Sequence, residues 1–123
     1  MKSYTDLNQS KRLAEILSLE SADMYYDIDS YGIQTTPEVL ITSVVRKKDI
    51  PCWSLVALLN VIPYTIYKSD NEFYRLGIDK GYNDYAVWYN NNGFTITDLD
   101  VASDNFVDAC YEMIVKLHEQ KLL

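Results

Sequence analysis

Residues 50–63 read Ile-Pro-Cys-Trp-Ser-Leu-Val-Ala-Leu-Leu-Asn-Val-Ile-Pro, the longest apolar run in the chain. Only Ser54 and Asn60 interrupt it, and a proline stands near each end. Pro51 suits the first turn of a helix, where a missing N–H costs nothing. Pro63 cannot continue a helix and biases Ile62 towards extended backbone. Between them Trp53, Leu55, Val56, Ala57, Leu58, Leu59 and Val61 leave no polar face. A helix that is apolar all round is a buried one. The stretch therefore predicts a short central helix, starting at Pro51 and covered on most sides by the rest of the fold.

Upstream, residues 3–19 predict an amphipathic helix with Leu13, Ala14, Ile16 and Leu17 on one stripe. Ser3 and Asp6, or Thr5 alone, can cap its start. A short helical turn is expected over residues 21–26, then a loop over 27–36 that contains Gly32. Residues 39–45, Val-Leu-Ile-Thr-Ser-Val-Val, are rich in β-branched residues and predict a strand. Arg46-Lys47-Lys48, the one basic cluster, reads as a solvated strand end.

Downstream, residues 64–67 allow a short strand and 69–71 a turn. Residues 73–80 alternate, with Tyr74, Leu76 and Ile78 on one face and Phe73, Arg75 and Asp79 on the other. Tyr85, Val87 and Tyr89 share a face in the next segment. Asn92-Gly93 between alternating runs is a strong hairpin signal. It predicts Asn91 opposite Phe94 and Tyr89 opposite Ile96. Residues 98–104 read as an acidic connection. A last helix is expected over residues 104–121, capped by Asn105 or Ser103, with Phe106, Cys110, Met113, Ile114 and Leu117 on its apolar face. The fold class that follows is α+β: an antiparallel meander of three to five strands with about three helices packed mainly on one face. At 123 residues, with no internal repeat, the chain makes a single domain, 1–123.

The net charge is −7. Residues 1–61 carry 6 basic and 8 acidic side chains, and residues 62–123 carry 5 and 10. Such a balance argues against a nucleic-acid partner, which needs clustered Lys and Arg. Tyr82, Tyr85, Trp88 and Tyr89 could stack bases but lack basic companions, so sheet packing is the preferred account. The opening residues have no apolar signal segment and no run is long enough to span a membrane. Cys52 and Cys110 lie in apolar patterns and read as free, buried thiols. A cytoplasmic location follows.

No chemistry is assembled by spacing. His118, the single histidine, sits at a helix end, away from any expected nucleophile. Two Cys and one His cannot form a standard zinc site. Residues 98–104, Asp-Leu-Asp-Val-Ala-Ser-Asp, depart from the calcium-loop pattern at Ala102 and Ser103. Catalytic, cofactor-binding and metal residues are therefore expected to be none. The acidic side made by Asp98, Asp100, Asp104 and Asp108 is the candidate interaction surface, with another protein as partner. The alternative is a small-molecule binder or small enzyme with a Tyr- and Trp-lined pocket rimmed by Asp residues.

Three segments carry a resemblance. These are Pro51-Cys52-Trp53-Ser54-Leu55 with Asn60-Val61-Ile62-Pro63, the run Asp104-Asn105-x-Val107-Asp108-Ala109-Cys110-x-Glu112-Met113-Ile114, and residues 11–25. Together they resemble short uncharacterised proteins from prophage and mobile-element regions of Bacteroides-type gut bacteria. The likeness covers most of the chain, with the middle strands diverging. It implies an accessory protein of phage or mobile-element origin and carries over no catalytic residue.

Overall fold

The computed structural model describes residues 2–29, 32–33, 36–39 and 49–123. Helix α1 spans Leu7–Ile16. Of the candidate caps, Asp6 takes the role. Its carboxylate accepts from the Gln9 N–H at 2.8 Å, and the Gln9 side chain accepts from the Asp6 N–H at 3.1 Å. This reciprocal capping box satisfies two amides the helix leaves free. Leu13 is fully buried, and Ala14, Ile16 and Leu17 pack beside it. Thr5 is buried instead of capping: its hydroxyl accepts from the Trp53 N–H at 3.1 Å.

A 3-10 turn at Leu19–Ser21 leads into strand β1, Met24–Tyr26. The helical turn expected over residues 21–26 is thus replaced by strand in its second half. Tyr25 and Tyr26 are both buried there, and aromatic residues favour a pleated surface. The expected loop over 27–36 holds a small ladder, β2 at Ile28–Asp29 paired with β3 at Gly32–Ile33. Strands β4, Glu38–Val39, and β5, Ile50–Cys52, flank β1 in the order β4-β1-β5. The rest of the strand expected over 39–45, and Arg46-Lys47-Lys48, lie outside the described residues.

The central stretch differs from expectation at its start. Pro51 lies in strand β5, opposite Tyr25, and does not open a helix. Among the described residues β5 is the edge of its sheet, where proline is tolerated because an N–H can be spared. Helix α2 spans only Leu55–Val61, and Ser54 caps it by accepting from the Ala57 N–H at 3.2 Å. Helix α2 is covered on most sides, as expected: Ala57 and Leu58 are buried and Leu55, Leu59 and Val61 pack against the core, while Val56, 65% exposed, and Asn60 one turn on face outward. Trp53 is fully buried, but just before the helix rather than within it. Ile62 is extended, as Pro63 requires.

Beyond Pro63 the chain forms an antiparallel meander in the order β6-β7-β8-β9. The strands are β6 at Thr65–Ser69, β7 at Glu72–Lys80, β8 at Tyr85–Asn91 and β9 at Phe94–Ser103. Val87, Tyr89, Leu99 and Val101 are buried on one face, and Tyr74, Leu76 and Ile96 pack against the same cluster. Ile78, expected on this face, is 43% exposed. On the other face Trp88 lies over Gly77 so closely that a Cβ there would come within 2.4 Å of the indole. That contact explains a glycine inside a strand.

The Asn92-Gly93 turn forms as expected, with positive φ at both residues and Asn91 opposite Phe94. Gly93→Val should destabilise the protein by about 1–2 kcal/mol, the cost of a side chain in left-handed backbone. Asn92→Gly should be nearly neutral. Thermal midpoints of the two variants check this. The expected Tyr89–Ile96 pairing is not made. The register shifts between Trp88 and Asn90, so that Trp88 faces Asp100 while Asn90 faces Thr95. The shift puts Leu99 and Val101 on the buried face beside Tyr89 and Val87.

Residues 98–103, expected to be an acidic connection, are therefore the second half of β9. Helix α3, Phe106–Glu119, follows a two-residue link. Asn105 caps it, accepting from the Asp108 N–H at 2.8 Å. Cys110, Met113, Ile114 and Leu117 are fully buried, together with Val107 and Ala109. Helix α3 packs on β8 and β9, and α1 and α2 pack on α3. The helices lie mainly on one side of the meander, and the class is the expected α+β.

Candidate functional site

Alternation of side chains along β9 sets Leu99 and Val101 inward and leaves Asp98, Asp100 and Ala102 exposed. Asp98 accepts from the Gln120 amide at 2.8 Å, which ties it to the end of α3. Asp100 stands opposite Trp88 on the open face of the sheet. Asp104 is exposed in the link to α3 and, among the described residues, accepts from neutral groups, Ser103 Oγ at 3.5 Å and Asn105 Nδ2 at 3.3 Å. These three carboxylates thus follow one strand and its exit.

Asp108 belongs to a different arrangement. It accepts from Lys2 Nζ at 2.8 Å, from Gln9 Nε2 at 2.7 Å and from Asn105 Nδ2 at 2.6 Å. It therefore fastens the N-terminal segment and α1 to the start of α3. Partial burial pushes its carboxyl upward, but the hydrogen bonds from Lys2, Gln9 and Asn105 outweigh this and hold it below the ordinary aspartate range. Burial likewise opposes the charge on Lys2, and the bonds to Asp108 and Asp6 raise it on balance. A depressed folded-state carboxyl contributes stability that is present above its unfolded value and lost as pH falls through the folded one. A raised ammonium contributes below its unfolded value and loses it as pH rises. The clasp should therefore be intact across neutral pH and weaken on acidification below about pH 4. Lys2→Met should cost under about 1 kcal/mol at pH 7, because both partners keep contact with water. The same variant should flatten the acid limb of stability against pH, and urea midpoints at pH 7 and pH 3 test it.

The thiols and the histidine do not meet. His118 is exposed on the last turn of α3, about 12 Å along the helix axis from the fully buried Cys110. Burial pushes the Cys110 thiol up to about 12. Cys52 is also fully buried; burial raises it more than its hydrogen bonds to Thr5 and neighbouring hydroxyls lower it. Both cysteines are free thiols. A raised thiol is a poor nucleophile. Among the described residues, no three His, Cys, Asp or Glu side chains converge to hold a metal ion.

The four aromatic residues weighed for base stacking are dispersed. Tyr82 is fully exposed in a turn, Tyr85 packs edge to face on Phe106 at 5.5 Å, Trp88 covers Gly77, and Tyr89 is in the core. The open face carries a different group. The Arg75 guanidinium sits 5.5 Å from the centre of the Phe73 ring, in a shallow cleft of about 550 Å³ that Asn90, Asn91 and Asn92 complete. Asn90 and Asn91 donate to the Arg75 and Phe73 carbonyls, so the amides mainly brace the strands.

Sequence alternation carried the signal for β9, since Leu99 and Val101 interleave with Asp98, Asp100 and Ala102 at period two. Nothing local distinguished Asp108 from its neighbours, because its partners Lys2 and Gln9 are 106 and 99 residues away. No helix among the described residues is long and apolar enough to cross a membrane. No family model, no curated protein and no solved structure matches this chain.

Proposed function

We propose that the chain is a non-enzymatic accessory protein that binds another protein, and that it takes a basic, extended segment of that partner along β9. One observation carries the reading. β9 is an edge strand with a hydrogen-bonded neighbour, β8, on one side only among the described residues, and it presents Asp98 and Asp100 on the exposed face. An edge strand offers a row of backbone donors and acceptors that an added strand can satisfy. Carboxylates at alternate positions favour Lys or Arg at alternate positions of the incoming strand. They also disfavour a second copy of the same edge, which would set like charges against each other. A net charge of −7 steers a basic partner towards the surface. Asp104 extends the acidic track past the end of the strand, whereas Asp108 is occupied by Lys2. Origin in a phage or mobile element is part of the same proposal and rests on the sequence resemblance.

Fluorescence anisotropy with a labelled peptide that alternates Lys and Val tests it. Binding should weaken with salt. It should be lost when the peptide amides facing the edge are N-methylated, and lost again in the Asp98→Lys, Asp100→Lys double variant. If the N-methylated peptide binds as well as its parent, strand addition is wrong. If charge reversal leaves affinity unchanged, the acidic track selects nothing.

A further inference from the structure

A second recess lies at the other end of the sheet from the Asn92-Gly93 turn. Leu55 of α2, Tyr85 of β8 and Phe106 of α3 wall it, and Lys2, Asp104 and Asn105 form its rim. Its volume is about 310 Å³, at the lower end of small-molecule sites. We propose that this pocket binds a small aromatic amine, with the ring against Tyr85 and Phe106 and the ammonium at Asp104. The proposal is independent of strand addition at β9.

The walls are preformed. Tyr85 is held in the ladder, opposite Lys80 on one side and Ser103 on the other. Phe106 is the first residue of a capped helix, and the two rings meet at 5.5 Å with 65° between their planes. Leu55 opens α2 immediately after its own cap, and its N–H donates to the Ser3 carbonyl at 3.0 Å. Binding therefore needs no reordering of these segments, which removes one of the main costs of association.

The charge balance at the rim selects the ligand. Lys2 is engaged by Asp6 at 3.1 Å and Asp108 at 2.8 Å. Among the described residues, Asp104 has neutral hydrogen-bond donors, Ser103 and Asn105. Lys80 Nζ lies 6.0 Å from the centre of the Tyr85 ring and is not among the residues that line the recess. Of the charged residues that line the recess, Lys2 is thus already paired twice with carboxylates, and Asp104 is the one left with neutral partners among the described residues. The positive end of α3 is answered by Asn105 and Asp108. An anionic ligand would meet Asp104, whereas a cation gains that carboxylate, and the ligand's ring takes the apolar wall of Tyr85 and Phe106.

Tryptamine and indole-3-propionate share a ring and carry opposite charges, so they separate the two halves of the proposal. Each is titrated into the full-length, ¹⁵N-labelled protein. Tryptamine should give saturable shifts at residues 55, 85 and 104–106, and the carboxylate should bind about fivefold more weakly or worse. Asp104→Asn, on an exposed side chain that leaves the fold intact, should bring the two affinities together. Leu55→Trp should fill the pocket and abolish both titrations while the amide spectrum stays dispersed. Absence of saturable shifts with tryptamine overturns the proposal. So does equal affinity of wild type for the two probes, or an Asp104→Asn variant that keeps the preference. Tryptamine binding that persists in a folded Leu55→Trp protein would place the ligand elsewhere.

Discussion

Trp53→Ala is expected to lower the free energy of unfolding by about 3–5 kcal/mol, the range for deleting a fully buried large aromatic. The side chain has no exposed surface. Its indole N–H donates to Ser21 Oγ at 3.0 Å, so the 3-10 turn is fastened to it. Its backbone N–H donates to Thr5 Oγ1 at 3.1 Å, and its carbonyl accepts from the Thr5 N–H at 2.9 Å. Three segments distant in sequence thus meet at one residue: the residues before α1, the turn after it, and the link between β5 and α2. Removing the indole frees Ser21 Oγ of that bond. The two bonds to Thr5 belong to the backbone and the Thr5 hydroxyl and persist, so the walls stay pinned on that side and a cavity remains. Residual cavity volume is what puts a large-to-small substitution at the upper end of its range. Denaturant midpoints measure the effect. A midpoint within error of wild type would mean that Trp53 is not the junction of these segments.

The burial of Trp53 is legible in the apolar run of residues 50–63, yet the local structure around it is not. Two rules compete at its start. Pro51 is compatible with a first helical turn, and Ser54 is compatible with an N-cap. Pairing with β1 decides between them, since Met24 and Tyr25 take Cys52 and Pro51 as partners and leave Ser54 to cap. A long-range pairing of that kind leaves no mark on the run itself. Short strands suffer likewise: Met24-Tyr25-Tyr26 is too brief to show a period, and pairing with β4 and β5 fixes it. Helices with caps and a full apolar stripe fare better. Asp6 with Gln9, and Asn105 ahead of Phe106, are local signals that the structure obeys.

The candidate surface divides along the same line. Asp98, Asp100 and Asp104 are readable as neighbours because they share one short stretch. Asp108 looks like a fourth member in sequence, but its orientation on α3 turns it to Lys2 and Gln9. The apolar pocket is less legible still. Leu55, Tyr85 and Phe106 come from three elements, and only the packing of α2 and α3 at the end of the meander assembles them. Tyr85 and Phe106 line this pocket and no tryptophan does, whereas the recess expected from the sequence is lined by Tyr and Trp.

Tyr89 tests the register of the meander. The residue is fully buried on the face covered by α3, and its hydroxyl donates to the Pro63 carbonyl at the exit of α2. Burial pushes the hydroxyl far above its ordinary range, so it stays protonated at any working pH. Tyr89→Ala should cost about 3–5 kcal/mol, and Tyr89→Phe about 1 kcal/mol, the net worth of one hydrogen bond. The ordering follows from where the register shifts. Past the irregularity between Trp88 and Asn90, the buried neighbours of Tyr89 on β9 are Leu99 and Val101 rather than Ile96 alone. Ile96→Ala, a half-buried residue on the hairpin side of the shift, should therefore cost less than Leu99→Ala. Urea midpoints of the four variants settle the arrangement. If Ile96→Ala proves the more damaging of the last two, Tyr89 is paired in the simple hairpin register and β9 does not bring Leu99 into the core beside it.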